Sequence, residues 1–178
     1  AKAIAGALSS GMVVLTSLNL AANALCGIEM YGDGTYDPSG IQALSDALAS
    51  GRAVLKSINL GGNSLGTEGW CAIFHALRDN KDNKIESWNL SQQGINPKIA
   101  KALAEYISVS AVITNLDMRF NDITGEAAQQ LSSAVLASPS LEVFSEVPIK
   151  ELRADSSLTE LSLEGKSLGP TEAMVIAA

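Results

Sequence analysis

One spacing pattern constrains this chain more than any other property. A frame with apolar residues at its first, fourth, sixth and eleventh places and a polar ninth recurs along it. It occurs at Leu15, Leu18, Leu20, Asn23 and Leu25, then at Leu55, Ile58, Leu60, Asn63 and Leu65. Further copies are Ile85, Trp88, Leu90, Gln93 and Ile95; Ile113, Leu116, Met118, Asn121 and Ile123; and Leu158, Leu161, Leu163, Lys166 and Leu168. A frame held through so many copies marks a repeat architecture, and missing it would misassign the whole fold.

First positions at Leu15, Leu55, Ile85, Ile113, Leu141 and Leu158 lie 40, 30, 28, 28 and 17 residues apart, so the base period is 28. The excess in the first repeat maps to an insertion around Glu29–Ser39, and two extra residues fall near Asp79–Asn83. The repeat that begins at Leu141 is degenerate over 141–157 and is expected to lack its helix.

Each repeat changes period midway. Leu18-Asn19-Leu20 alternates as a short strand does when one face is buried. Beyond the polar ninth place the spacing turns helical, with stripes at Ile41, Leu44 and Leu48; Ile73 and Leu77; Ile99, Leu103 and Ile107; and Ala127, Leu131 and Val135. Ser39 is expected to cap one helix; Asn96 before Pro97, Thr124 before Glu126, and Gly169 before Pro170 mark the starts of others. Strand and helix repeated in one direction predict a parallel sheet with crossover helices. The expected fold is an α/β solenoid in one domain over 1–178, with the strands lining a concave face and the helices a convex one.

The segments LTSLNLAANAL, LKSINLGGNSLGTEG and ITNLDMRFNDITGEAAQQL resemble the ribonuclease-inhibitor-like leucine-rich repeats of intracellular eukaryotic proteins. The resemblance covers the chain apart from Leu141–Asp155. It implies a leucine-rich repeat horseshoe in which Asn23, Asn63 and Asn121, with Gln93 as a near match, form a structural turn ladder; Lys166 departs from that pattern. The segment LEVFSEVPIKELRADSSLTELSLEGKSLGPTEA also looks like a tail in expanded repeat families of algae and other protists. That likeness leaves a plastid open beside an intracellular, by default cytoplasmic, setting.

Charge narrows the choice of partners. Twelve basic against 19 acidic residues give a net charge of −7, which makes nucleic acid a poor target because phosphate binding needs concentrated Lys and Arg. Cys26 and Cys71 stand far apart with no metal-ligand spacing, and read as small buried hydrophobes. No apolar run reaches the ~18 residues of a membrane span. The chain carries no phosphate-binding glycine loop and no G-x-S-x-G motif. His75, one turn from Cys71, has neither an orienting acid nor further ligands in view. No cofactor, metal or catalytic residue is assigned.

What remains is a surface for other proteins. The open strand face is expected to present Thr16, Ser17, Asn19, Lys56, Ser57, Asn59, Glu86, Ser87, Asn89, Thr114, Asn115, Asp117, Glu142, Ser145, Thr159, Glu160 and Ser162. Arg119 and Phe120 stand at the rim, a cation beside a ring where the other repeats carry small or polar pairs. The insertion loop adds Tyr31, Asp33 and Tyr36, with a tyrosine expected to pack near Trp70. AKAIAGALSSG at the start and TEAMVIAA at the finish read as helices of uncapped repeats, expected to be covered by further chain or by neighbouring subunits. The function expected is a protein-binding scaffold; the alternatives are an accessory subunit of a large assembly, or the regulatory part of a GTPase activator or receptor.

Overall fold

The computed structural model describes residues 1–11, 14–28, 33–154 and 159–178. These form two compact bodies, Ala1–Glu86 and Ser87–Ala178. Both are built from the repeating strand–turn–helix unit of the α/β leucine-rich repeat solenoid.

In the first body, α1 (Lys2–Ser9), β1 (Ser17–Asn19), α2 (Ser39–Ala49), β2 (Ser57–Asn59) and α3 (Gly66–Asp79) follow one another. β1 and β2 run parallel, with Ser17 beside Ser57 and Asn19 beside Asn59, so the strands register across the 40-residue spacing. The helices pack in chain order, α1 on α2 and α2 on α3. Ile41, Leu44 and Leu48 on α2 and Ile73 and Leu77 on α3 are buried, with Ile58, Leu60 and Leu65 facing them from the strand side. Each such side chain contributes about 1.5–3 kcal/mol when fully withdrawn from water, so the apolar frame itself drives the stacking. Trp70 and Phe74 stack at 5.7 Å between ring centroids. Ser39 is the first helical residue of α2 rather than its cap; Pro38 holds the cap position without a side-chain bond, and Asp37 just before it accepts the Ser39 amide at Oδ1 (2.8 Å).

The second body holds β3 (Ser87–Asn89), α4 (Pro97–Val109), β4 (Asn115–Asp117), α5 (Gly125–Ala137), β5 (Val143–Phe144), α6 (Ile149–Ala154) and α7 (Pro170–Ile176). Here the strands register at the base period, Ser87 beside Asn115 and Asn115 beside Val143, all parallel. Trp88, Leu116 and Phe144 fill the same core column and are fully buried. Asn96 caps α4 by accepting from the amides of Lys98 and Ile99, both at 3.1 Å, whereas Thr124 makes no side-chain cap on α5.

The end of this body departs from the regular pattern. β5 stops after two residues, and Phe144 and Val147 then bond each other's backbone both ways around Ser145 (φ 49°) and Glu146 (φ 64°). Positive φ at both central residues is the signature of a type I′ turn, which reverses the chain tightly. A six-residue α6 follows where no helix was expected, and α7 packs on α5. Leu161 and Leu163 of the last frame are half-buried and form no strand among the described residues.

Candidate functional site

The strand face is the natural place to look, because its side chains alternate away from the core. In the first body Thr16, Ser17, Asn19, Lys56, Ser57 and Asn59 are exposed and Glu86 is half-buried. Lys56 pairs with Glu86 at 2.7 Å, a solvent-exposed ion pair worth at most about 1 kcal/mol. In the second body Ser87, Asn89, Asn115, Thr159, Glu160 and Ser162 are exposed, and Thr114, Asp117 and Glu142 half-buried. Lys150 pairs with Glu142. Ser145 does not belong to this face. Fully buried, its hydroxyl accepts from the Met118 amide at 3.0 Å and donates to Glu172 at 2.6 Å. Alternation ends with β5, so extending it one residue further placed Ser145 on the wrong side.

The third strand position has a local duty. Oδ1 of Asn19, Asn59, Asn89 and Asp117 accepts from the backbone amide two residues on, at Ala21, Gly61, Ser91 (3.0 Å each) and Arg119 (3.1 Å). These are Asx turns, which bend the chain sharply out of the strand. Each of these bonds lies within one turn and joins no neighbouring strand.

A second set of amides ties neighbouring repeats. Asn63, 1% exposed, accepts at Oδ1 from the amides of Asn23 (3.0 Å) and Leu25 (3.3 Å). Its Nδ2 donates to the carbonyls of Leu20 and Leu60 (2.8 Å each) and Gly61 (3.2 Å). Asn121 repeats the arrangement, accepting from Ile95 at 2.9 Å and donating to Leu90, Met118 and Arg119. The side-chain amides of Asn23 and Gln93 donate within their own turns, to Ala21 and Ser91.

At the turn edge of the second body, four charges interlock. Arg119 gives Nε and Nη2 to the two oxygens of Asp117 (2.9 and 2.7 Å) and Nη1 to Glu146 (2.7 Å). Lys166 reaches the other Glu146 oxygen at 2.7 Å. Burial works against charge on Asp117, but the Arg119 guanidinium and amide hold its carboxyl below the ordinary range. The Lys166 ammonium, with Arg119 beside it, does the same for Glu146. Glu146 and Lys166 lie far along the chain from Arg119, and nothing in the local sequence links them. Phe120, by contrast, is 56% exposed.

The insertion closes on itself through a bridge between Ile28 and Gly34. Tyr31 lies outside the described residues; Asp33 is exposed. Tyr36 reaches the first turn of α3, the helix that bears Trp70, by donating its hydroxyl to the Leu65 carbonyl at 2.9 Å. Burial pushes the Cys26 thiol up, which suits a packed hydrophobe rather than a nucleophile. Cys71 is buried and His75 exposed, so this pair presents no shared face to a ligand. Among the described residues no group of three His, Cys, Asp or Glu side chains could hold a metal, and no helix is long and apolar enough to cross a membrane.

Parallel strands, registered at 40 residues in the first body and 28 in the second, with β1 to β4 each left through an Asx turn and followed by a helix, define a leucine-rich repeat fold. A family model described as "Leucine Rich repeat" matches residues 109–132, the stretch holding β4 and the first part of α5. Among solved structures the chain is similar to leiomodin-1, in a structure titled "Leiomodin-1 Actin-Binding Site 2 (ABS2)", with a TM-score of 0.62 and 17% identity over 79% of this chain and 75% of that one. No curated protein sequence matches significantly.

Proposed function

We propose that this chain is a non-catalytic protein-binding module of the ribonuclease-inhibitor-like leucine-rich repeat type, working as a scaffold or recruitment surface. One observation carries the reading: short polar side chains stand exposed on the strand face of each body, on a backbone pinned by Asx turns and by the amides of Asn63 and Asn121. Such a surface is pre-organised, so a partner pays little ordering entropy on docking. The 28-residue register supports the subtype. Two free buried cysteines favour a reducing, intracellular setting, cytoplasmic by default with a plastid as the alternative.

The test is purification of the full chain from its native source, beside variants Ser57→Arg and Asn115→Arg, which place bulk on the strand face. The proposal expects a partner that the native chain retains and at least one variant loses at unchanged melting temperature. Retention at fixed stoichiometry in one large complex identifies an accessory subunit. Stimulated GTP hydrolysis by a co-purifying GTPase identifies a regulator. The likeness to an actin-binding site of leiomodin-1 makes actin co-sedimentation a direct arm. Equal behaviour of all three chains in every arm sinks the strand-face reading.

A further inference from the structure

Three residues past each turn-forming Asn or Asp the chain enters the left-handed region: at Ala22 (φ 55°) and Gly62 (67°) in the first body, and at Gln92 (56°) and Phe120 (60°) in the second. A Cβ in that conformation crowds the neighbouring carbonyl, so small or flexible residues suit it. Phenylalanine is the bulky exception, and it is not folded over the sheet edge: it is the most exposed aromatic among the described residues. Backbone strain at an exposed ring points to a use other than core packing.

The surroundings indicate what kind of surface would meet it. Arg119, the adjacent cation, is committed to Asp117 and Glu146, and its side chain is only 19% exposed. Lys166 is committed to Glu146. Asp122, two residues past the ring, is exposed, and so is Glu164, in the segment that Lys166 joins to this turn; Glu146 is taken up by Arg119 and Lys166. A rigid ring projects from a rim whose uncommitted charge is negative.

Building on the protein-binding reading, we propose that Phe120 anchors a contact separate from the strand face, inserting into an apolar pocket on a partner protein whose rim carries Lys and Arg. Rim charges of this sort act through steering and are screened by salt, while the buried ring carries most of the affinity.

Photo-crosslinking tests it on the full chain, with p-benzoylphenylalanine introduced as Phe120→p-benzoylphenylalanine and, separately, as Asn115→p-benzoylphenylalanine. Irradiated in native extract, the chain labelled at 120 is expected to capture one peptide whose apolar residues are flanked by Lys or Arg. The yield should fall several-fold between about 50 and about 300 mM salt. A synthetic copy of that peptide should bind Phe120→Ala about 30-fold more weakly than the native chain and Phe120→Trp within about threefold. Capture of an acidic or uncharged peptide, capture of a second copy of this chain, or unchanged affinity of Phe120→Ala would each overturn the proposal. Capture at 115 alone leaves the strand-face reading standing and ends this one; capture at neither position ends both.

Discussion

Replacing Asn63 with alanine is the sharpest test of how the repeats hold together. The side chain makes five hydrogen bonds to backbone groups, two accepted and three donated, from a position 1% exposed. Gly61 keeps a partner in the Ala22 amide, so the loss falls chiefly on the amides of Asn23 and Leu25 and the carbonyls of Leu20 and Leu60. At roughly 0.5–1.5 kcal/mol net per bond, softened where water can enter, the expected loss is about 3 kcal/mol. For a chain of this length that lowers the melting temperature by about 6–12 °C. Asn121→Ala removes a similar set from a half-buried site and should cost about 2 kcal/mol. Asn23→Ala removes one exposed bond, to Ala21, and should cost under about 1 kcal/mol. Thermal melts followed by circular dichroism, with urea titration to check that the m-value is unchanged, give the order directly. If Asn63→Ala and Asn23→Ala melt together, the amide is not what couples these turns and the account of the stacking fails.

Two further predictions concern the loop base and the charge cluster. Gly34 sits at φ +112°, where a Cβ would clash at 2.0 Å with the Gly27 carbonyl oxygen, whereas a Cβ on Gly94 (φ +63°) would meet nothing within 4 Å. Gly34→Ala should therefore open the insertion and raise limited proteolysis there about tenfold or more, while Gly94→Ala costs only the backbone term of about 1 kcal/mol; equal protease resistance of the two refutes the close approach. Asp117 and Glu146 both have carboxyls held below their unfolded values, so at low pH the unfolded chain binds more protons. Their contribution is complete above about pH 5 and is lost as pH falls through the unfolded and then the lower folded values, so Asp117→Asn should flatten the acid limb of melting temperature against pH. An unaltered acid limb would show that the Arg119 pairing adds nothing to stability.

The architecture was legible because the apolar frame is a packing instruction. Leu20, Ile58, Leu60, Leu90 and Leu116 are buried where the frame puts them, and the strand registers repeat its spacings. The surface was less legible, for two reasons. Asn19, Asn59, Asn89 and Asp117 look alike on a strand face whether they meet solvent or bend their own turn, and only the geometry shows the bond to the second amide onward. The cluster of Arg119, Glu146 and Lys166 depends on the reversal at Ser145–Glu146, which has none of the glycine or asparagine expected at two left-handed positions. The same reversal lets α7 dock on α5 and buries Glu172 against the Ser145 hydroxyl. IKELRA carries no long apolar stripe, which is why α6 escaped notice.

These bonds change what the strand face can say to a partner. A carboxamide whose oxygen already accepts from its own turn has its NH2 group and at most one oxygen lone pair to offer, so Asn19, Asn59 and Asn89 lean toward donating. In the second body Asp117 does not stand beside Asn89 as a free carboxylate, because both its oxygens are on Arg119. In the first body Lys56 adds a further cation that its exposed pairing with Glu86 holds only weakly. Carboxamide donors on each strand face favour partner carbonyls and isolated carboxylates there, while Asp122 and Glu164 at the turn edge near Phe120 favour cations. The strand faces thus select through hydrogen-bond donors and the turn edge through charge, so rising salt should weaken a contact at Phe120 more than one on a strand face.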